Sequence, residues 1–186
     1  MRFFTSGLMF DSSDYCSRWR FHDNTERNNY IIKRWNDVVT EDDEVIILGG
    51  IGEFEYLNDL KGKKTIMMDT RDMNFYLSYV SAITNVRDEF YDKEMFEVYV
   101  IENYDVEKVI FNTKIMRKLY SGRVVSVTTD KTPSTKSDRF SIVSGNDYIR
   151  FDKKLINVEF GINYMTLVSE VNIENLIRKA ERSKVS

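Results

Sequence analysis

The chain has 186 residues, a length that reads as one domain, residues 1–186, with room for a real core. One His, one Cys and one Pro leave almost nothing for a histidine-rich metal site, a Cys/His catalytic pair or a zinc ribbon, and a lone thiol forms no internal disulfide. With 27 basic and 30 acidic residues the net charge is −3, which gives no general attraction to nucleic acid or to an anionic membrane.

In chain order, Phe3 to Ser6 is a β-prone start that runs into a turn at Gly7-Leu8-Met9. Between Asn24 and Val39 the apolar residues Ile31, Ile32, Trp35, Val38 and Val39 recur at helical spacing, with Asn24 or Thr25 as the cap. Val45 to Leu48 is a short continuous branched run, the pattern of a central buried strand, and Gly49-Gly50 ends it. Glu53 to Leu60 suits a short helix, Lys63 to Met68 a strand and Phe75 to Ile83 another helix. This β-α-β rhythm implies an α/β sheet.

The second half reads as a series of short β-prone runs: Phe96 to Ile101, Val109 to Phe111, Val124 to Thr128, Phe140 to Val143, Tyr148 to Phe151 and Leu155 to Phe160. Ser144-Gly145-Asn146-Asp147 is a hairpin turn signal, Thr129 to Ser137 is a loop carrying Pro133, and Asn172 caps a helix from Ile173 to Arg182. No run approaches the roughly 18 apolar residues of a spanning helix, and no signal-peptide pattern follows Met1-Arg2. The expected compartment is therefore reducing and cytoplasmic.

Phe3-Phe4-Thr5-Ser6-Gly7-Leu8-Met9-Phe10 resembles the opening strand of the phage and bacterial calcineurin-like metallophosphoesterases, which reads roughly F-F-T-S-D-x-H-F. The likeness continues through Arg34 to Val39, Asp42-Asp43 with Val45 to Gly49, Gly62-Lys63-Lys64 with Ile66 to Asp72, and Ile156 to Val158 with Asn163-Tyr164. It implies an α+β sandwich in which a two-sheet core is flanked by helices. In that family, Asp, His and Asn ligands at the carboxyl ends of strands hold two metal ions that clamp a phosphate ester.

Matched residue by residue, the ligands are missing. The first Asp falls on Gly7 and its His on Met9; the bridging Asp falls on Gly50; the Asn and His of the G-N-H-D motif fall on Thr70 and Arg71. Asp72 alone matches. Glycine offers no ligand, a thioether is a poor partner for hard divalent ions, and an arginine brings a fixed cation. The resemblance therefore implies a pseudoenzyme with no metal, no other cofactor and no catalytic residues. One escape is a weak Mg²⁺ site built from Asp69, Asp72 and Asp11 or Asp14, although Asp residues near turns more often shape the turn.

The remaining polar and aromatic residues each carry two readings. His22, beside Arg20, Asp23 and Asn24, is an ordinary helix-start residue unless a partner makes it a base, and Cys16 is a small packing residue unless something activates its thiol. Trp35 belongs to a helix core face, whereas Trp19, between Arg18 and Arg20, is a candidate interface anchor.

Charge is polarised along the chain. From Asp37 to Asp59 there are eight carboxylates and no Lys or Arg, and from Lys114 to Arg139 there are seven basic residues against two acidic ones. The acidic stretch is either a solvated helix end and loop or a docking face, with Asp42, Asp43, Glu44, Glu53 and Glu55 as its candidate contacts. The resemblance to phage members of the family, and a likeness to small transcription inhibitors of staphylococcal-type phages, implies a host-takeover factor. It would act in the host cytoplasm on a basic, nucleic-acid-binding domain such as an RNA polymerase sigma-factor domain, with no direct contact to nucleic acid or membrane. The alternatives are a residual metal-dependent phosphodiesterase or phosphatase and a phage structural or assembly protein. Oligomeric state is not readable from the sequence.

Overall fold

Val45-Ile46-Ile47-Leu48 lies wholly out of solvent, as a branched run between Glu44 and two glycines should. The computed structural model describes residues 1–68, 93–112, 114–129, 140–144, 151–152, 154–161, 163 and 165–182. The run forms β2 (Glu44–Leu48), which lies between β1 (Arg2–Thr5) and β3 (Lys63–Met67), both parallel to it. A parallel β4 (Lys108–Ile110) follows β3, and a two-residue antiparallel strand at Val168–Ser169 borders β1 on the other side.

The second sheet contains β5 (Lys114–Lys118), β6 (Val124–Thr128), β7 (Ser141–Val143), β8 (Phe151–Asp152) and β9 (Leu155–Asn157) in the order β5-β6-β7-β9-β8. The Val168–Ser169 strand is β10. Both sheets mix parallel and antiparallel pairs.

Alternation along β1 to β3 divides the core in two. Phe3, Val45, Ile47 and Ile66 point to a helical layer that supplies Ile31, Trp35 and Val39 from the region of α2 (Asn24–Asn36), and Phe96 and Val100 from α3 (Lys93–Asn103). Phe4, Ile46, Leu48 and Met67 point the other way, onto Val125, Val127, Ile142, Ile156 and Val158 of the second sheet. Ile173 and Ile177 of α4 (Glu170–Arg182) close that seam. The expected α+β sandwich, two sheets flanked by helices, is the observed architecture. Each fully buried branched or aromatic side chain in it contributes roughly 1.5–3 kcal/mol. Among the described residues no helix is long and apolar enough to cross a membrane.

Several local expectations are corrected. The cap of α2 is Asp23, whose carboxylate accepts the Glu26 N–H at 2.8 Å, while the Glu26 carboxylate accepts the His22 N–H at 2.7 Å. Neither Asn24 nor Thr25 serves. Phe96 to Ile101, read as a strand, lies inside α3: Phe96 and Val100, four apart, enter the core, and Val98 and Ile101 are left 52% and 40% exposed. Tertiary burial of the i, i+4 pair overrides the β-prone composition.

The 53–60 segment is a 3-10 helix, Phe54–Asp59. Asn172 lies within α4 rather than capping it, and Ser169 Oγ accepts the Asn172 N–H at 3.2 Å. Strands β5 and β10 were not anticipated. The helix at 75–83 lies outside the described residues, as do most of the 144–147 turn, the 129–137 loop and the 148–151 run.

Candidate functional site

In open sheets of parallel strands, ligands bind where the chain leaves the carboxyl ends of the strands. Here β1 and β2 leave side by side. Past their ends the chains continue as a ladder of backbone bonds: Gly7 N–H to Gly49 O at 3.4 Å, Met9 N–H to Gly50 O at 2.8 Å and Phe10 N–H to Ile51 O at 2.7 Å. The corner where a crevice would open is thereby laced shut.

Three of the six positions that the resemblance marks as a former metal pocket meet at this corner. Gly7 and Gly50 both adopt left-handed backbone, with φ of 67° and 65°. A Cβ on Gly50 would lie 3.0 Å from the Gly7 nitrogen and 3.5 Å from the Met9 sulfur, and a Cβ on Gly7 would lie 2.8 Å from Cγ of Glu159. Glu159, 3% exposed, thus occupies the room that a side chain at position 7 would need. Met9 itself has φ of 47°, a left-handed conformation unusual for a long side chain. The other three positions, Thr70, Arg71 and Asp72, lie outside the described residues, as does Asp69.

The corner is fastened from below by a cation. Arg27 of α2 is 2% exposed, donates through Nη1 to Met9 O at 2.8 Å and through Nη2 to Leu8 O, and has its Nε buried without a hydrogen-bond partner. Burial pushes its pKa down to about 10, against the opposing charges of Cys16, Tyr15 and Asp11. Its guanidinium carbon stands 5.7 Å from the centre of the Tyr15 ring.

Asp11, the next residue with left-handed backbone, accepts from Asn28 Nδ2 at 2.6 Å and from the Tyr56 hydroxyl at 3.1 Å. Burial raises the Tyr56 pKa, and the neighbouring Asp11 carboxylate adds to that rise. Asp11 therefore shapes this turn, and Asp14 lies exposed on α1 (Ser13–Arg18). Among the described residues no three His, Cys, Asp or Glu side chains gather where they could hold a metal ion.

The acidic stretch is contiguous in sequence but divided in space. Asp42, Asp43 and Glu44 stand at the amino end of β2, and Glu53 and Glu55 follow its carboxyl end. Asp43 accepts from the Met1 amino group, and from Thr40 through both N–H and hydroxyl at 2.8 Å. The Met1 bond, followed by those from Thr40, holds its carboxyl below the ordinary range despite burial.

Glu44 bridges Arg2 Nε at 2.7 Å and Arg117 Nη2 at 2.6 Å, tying the two sheets together, and Arg2 also donates to the buried Glu170 at 3.0 Å. Burial lowers the Arg2 pKa, but the Glu44 hydrogen bond and the Glu44 and Glu170 charges outweigh it, leaving the pKa raised. Asp42 and Glu55 remain exposed and Glu53 is half-buried.

Trp19 is half-buried, its ring so close to Gly161 that a Cβ there would lie 2.2 Å from Cζ2. Trp35 is wholly buried and its indole N–H donates to Lys61 O at 2.8 Å, as a core-face residue should. The Cys16 thiol is buried against Phe21 O at 3.4 Å, and the exposed His22 ring pairs with Asp23 at 3.1 Å. Arg27 and Glu159 are the site residues that sequence reading missed. Arg27 had a signal: it stands four residues before Ile31 and eight before Trp35, on the stripe that faces the core.

Comparison with models of known families and with curated proteins returns no match. Among solved structures the chain is similar to a protein of unknown function, AQ665, from Aquifex aeolicus, with a TM-score of 0.60 and 15% identity, covering 95% of this chain and 98% of that one. At that identity the likeness carries the fold alone.

Proposed function

We propose that the chain is a phosphoesterase-like scaffold that has no hydrolytic activity and works by binding another protein. The observation that carries this reading is the closed corner of Gly7, Met9 and Gly50, fastened over the buried Arg27 cation. A pair of divalent ions needs open space and negative or neutral ligands; this corner offers backbone contact, a thioether and a nearby positive charge.

As a phage-encoded factor it would act in the host cytoplasm. The partner we propose is a basic nucleic-acid-binding domain, with an RNA polymerase sigma-factor domain as the specific case, spanning the exposed Asp42 at the amino end of β2 and the exposed Glu55, with the half-buried Glu53, beyond its carboxyl end. Two measurements test the reading. Purified chain mixed with Mn²⁺ should neither bind the ion tightly nor hydrolyse bis(p-nitrophenyl) phosphate; metal-dependent turnover would sink the non-catalytic half. Immobilised chain should retain purified sigma factor at low salt and lose it on Asp42→Lys with Glu55→Lys; no retention removes the sigma assignment.

A further inference from the structure

The hairpin of β5 and β6 turns through Tyr120, Ser121 and Gly122, with Gly122 at φ of 84° and bonds from Leu119 N–H to Arg123 O and from Gly122 N–H to Leu119 O, both at 2.8 Å. The Leu119–Arg123 bond fixes the alternation. In the register Lys114↔Thr128 through Lys118↔Val124, the odd residues of β5 bond to β6, and the N–H and C=O of Met116 face away from it. The carbonyl of Lys118 also faces outward, where Arg2 Nη1 reaches it at 3.4 Å.

Strand β5 ends its sheet, and among the described residues no strand pairs with its outer side. The side chains there are unusual for a protected edge. Met116, Tyr120 and Val124 are 45%, 68% and 42% exposed, and the exposed Lys114 and Lys118 flank Met116 on the same face. Val124 stands directly opposite Lys118. Arg117 points inward to Glu44 and is already neutralised, whereas neither lysine belongs to an ion pair among the described residues.

We propose that the outer edge of β5 docks an extended acidic segment of a partner protein, which adds a strand to the second sheet. Main-chain bonds to Met116 would supply the attachment, and carboxylates opposite Lys114 and Lys118, with an apolar residue between them over Met116, would supply selectivity. A second copy of this chain is a poor occupant. On the exposed face Lys114, Met116 and Lys118 are symmetric in charge, so antiparallel self-pairing centred on Met116 sets Lys114 against Lys118 of the other copy, twice. The same symmetry lets a Glu-x-apolar-x-Glu segment fit in either direction. This edge is separate from the acidic residues assigned above, so either assignment can fail alone.

A fluorescent peptide with the core Glu-Thr-Val-Thr-Glu, and its twin with Lys at both ends, test the proposal. The acidic peptide should bind the intact chain and slow amide exchange at Met116 and Lys118. Lys114→Glu with Lys118→Glu should weaken that binding by about tenfold or more and turn preference to the basic twin. Met116→Pro, tolerable on an edge, should abolish binding while the melting curve stays cooperative. The proposal is overturned if the acidic peptide does not bind or if the charge-reversed hairpin binds it equally well. It is also overturned if single-stranded DNA is taken in its place, or if sedimentation shows the chain pairing with itself through β5.

Discussion

Gly50 and Gly7 stand back to back, so close that a Cβ on Gly50 would lie 3.0 Å from the Gly7 nitrogen and 3.1 Å from its Cα. The two positions where the resemblance expects metal-binding carboxylates are thus in mutual backbone contact. Neither position carries a side chain and the space between them is closed by backbone, and this decides what a carboxylate placed there would do.

Gly7→Asp and Gly50→Asp should each destabilise the fold, by about 1–3 kcal/mol, because left-handed backbone and a close contact are both imposed on a new side chain. The double substitution should gain no tight Mn²⁺ site. Urea denaturation and titration calorimetry check the two parts; a stable double variant that binds Mn²⁺ would mean that the corner opens readily and that closure is not the obstacle.

Beneath the same corner, Arg27 fills volume and donates to two carbonyls at the cost of burying a charge. Arg27→Met keeps most of the volume and removes the buried charge, so it should cost about 1–2 kcal/mol for Leu8 O, which loses its Arg27 donor, and for Met9 O, which keeps the Ser12 N–H at 3.2 Å. Arg27→Ala loses the donors and opens a cavity as well, and should cost about 3 kcal/mol or more. Urea midpoints give the order; Met costing as much as Ala would show that the donors and the charge, which both variants lack, matter more than the packing.

These two glycines and one arginine also mark how far the sequence could be read. The branched run at 45–48 and the 31, 35 and 39 stripe declared the central strand and its covering helix, because in both a single local period decides burial. At 96–101 the same rule misled, since Phe-Glu-Val-Tyr-Val-Ile satisfies strand composition while Phe96 and Val100 are buried in the core, Tyr99 packs against it and Val98 and Ile101 stay exposed. Glu159 carried no local sign at all. Its burial arises from the bridge between Ser6 and Glu159, a contact that brings the end of β1 against the second sheet across most of the chain. Nor could the acidic run show that β2 would carry its two halves to opposite ends of a strand and turn Asp43 and Glu44 inward.

Trp19 and Gly161 make a prediction that fluorescence reads directly. A Cβ on Gly161 would sit 2.2 Å from Cζ2 and 2.6 Å from Cε2 of the indole, so Gly161→Ala must push the ring outward. In a Trp35→Phe background, which leaves Trp19 as the sole indole, Gly161→Ala should shift emission to the red and cost about 1–3 kcal/mol of stability. An unchanged spectrum would show that the backbone at 161 yields instead of the ring.

Asp43 gives the pH dependence. Its carboxyl is held below the ordinary value chiefly by the Met1 amino group and then by the two Thr40 donors, so the folded chain binds this proton less readily than the unfolded one. The stability it contributes is therefore complete above about pH 4 and disappears as pH falls through the depressed folded value. Asp43→Asn should cost about 1–3 kcal/mol at pH 7, because charge-assisted bonds are replaced by neutral ones. The gap between the two proteins should then narrow as the solution is acidified below about pH 4, where the unfolded chain takes up the proton first and folded Asp43 follows at its depressed value. Denaturation midpoints measured from pH 7 down to about pH 3 decide it. A gap that stays constant over that interval would mean that Asp43 acts by shape, through the Thr40 turn, and that its charge contributes nothing to the fold.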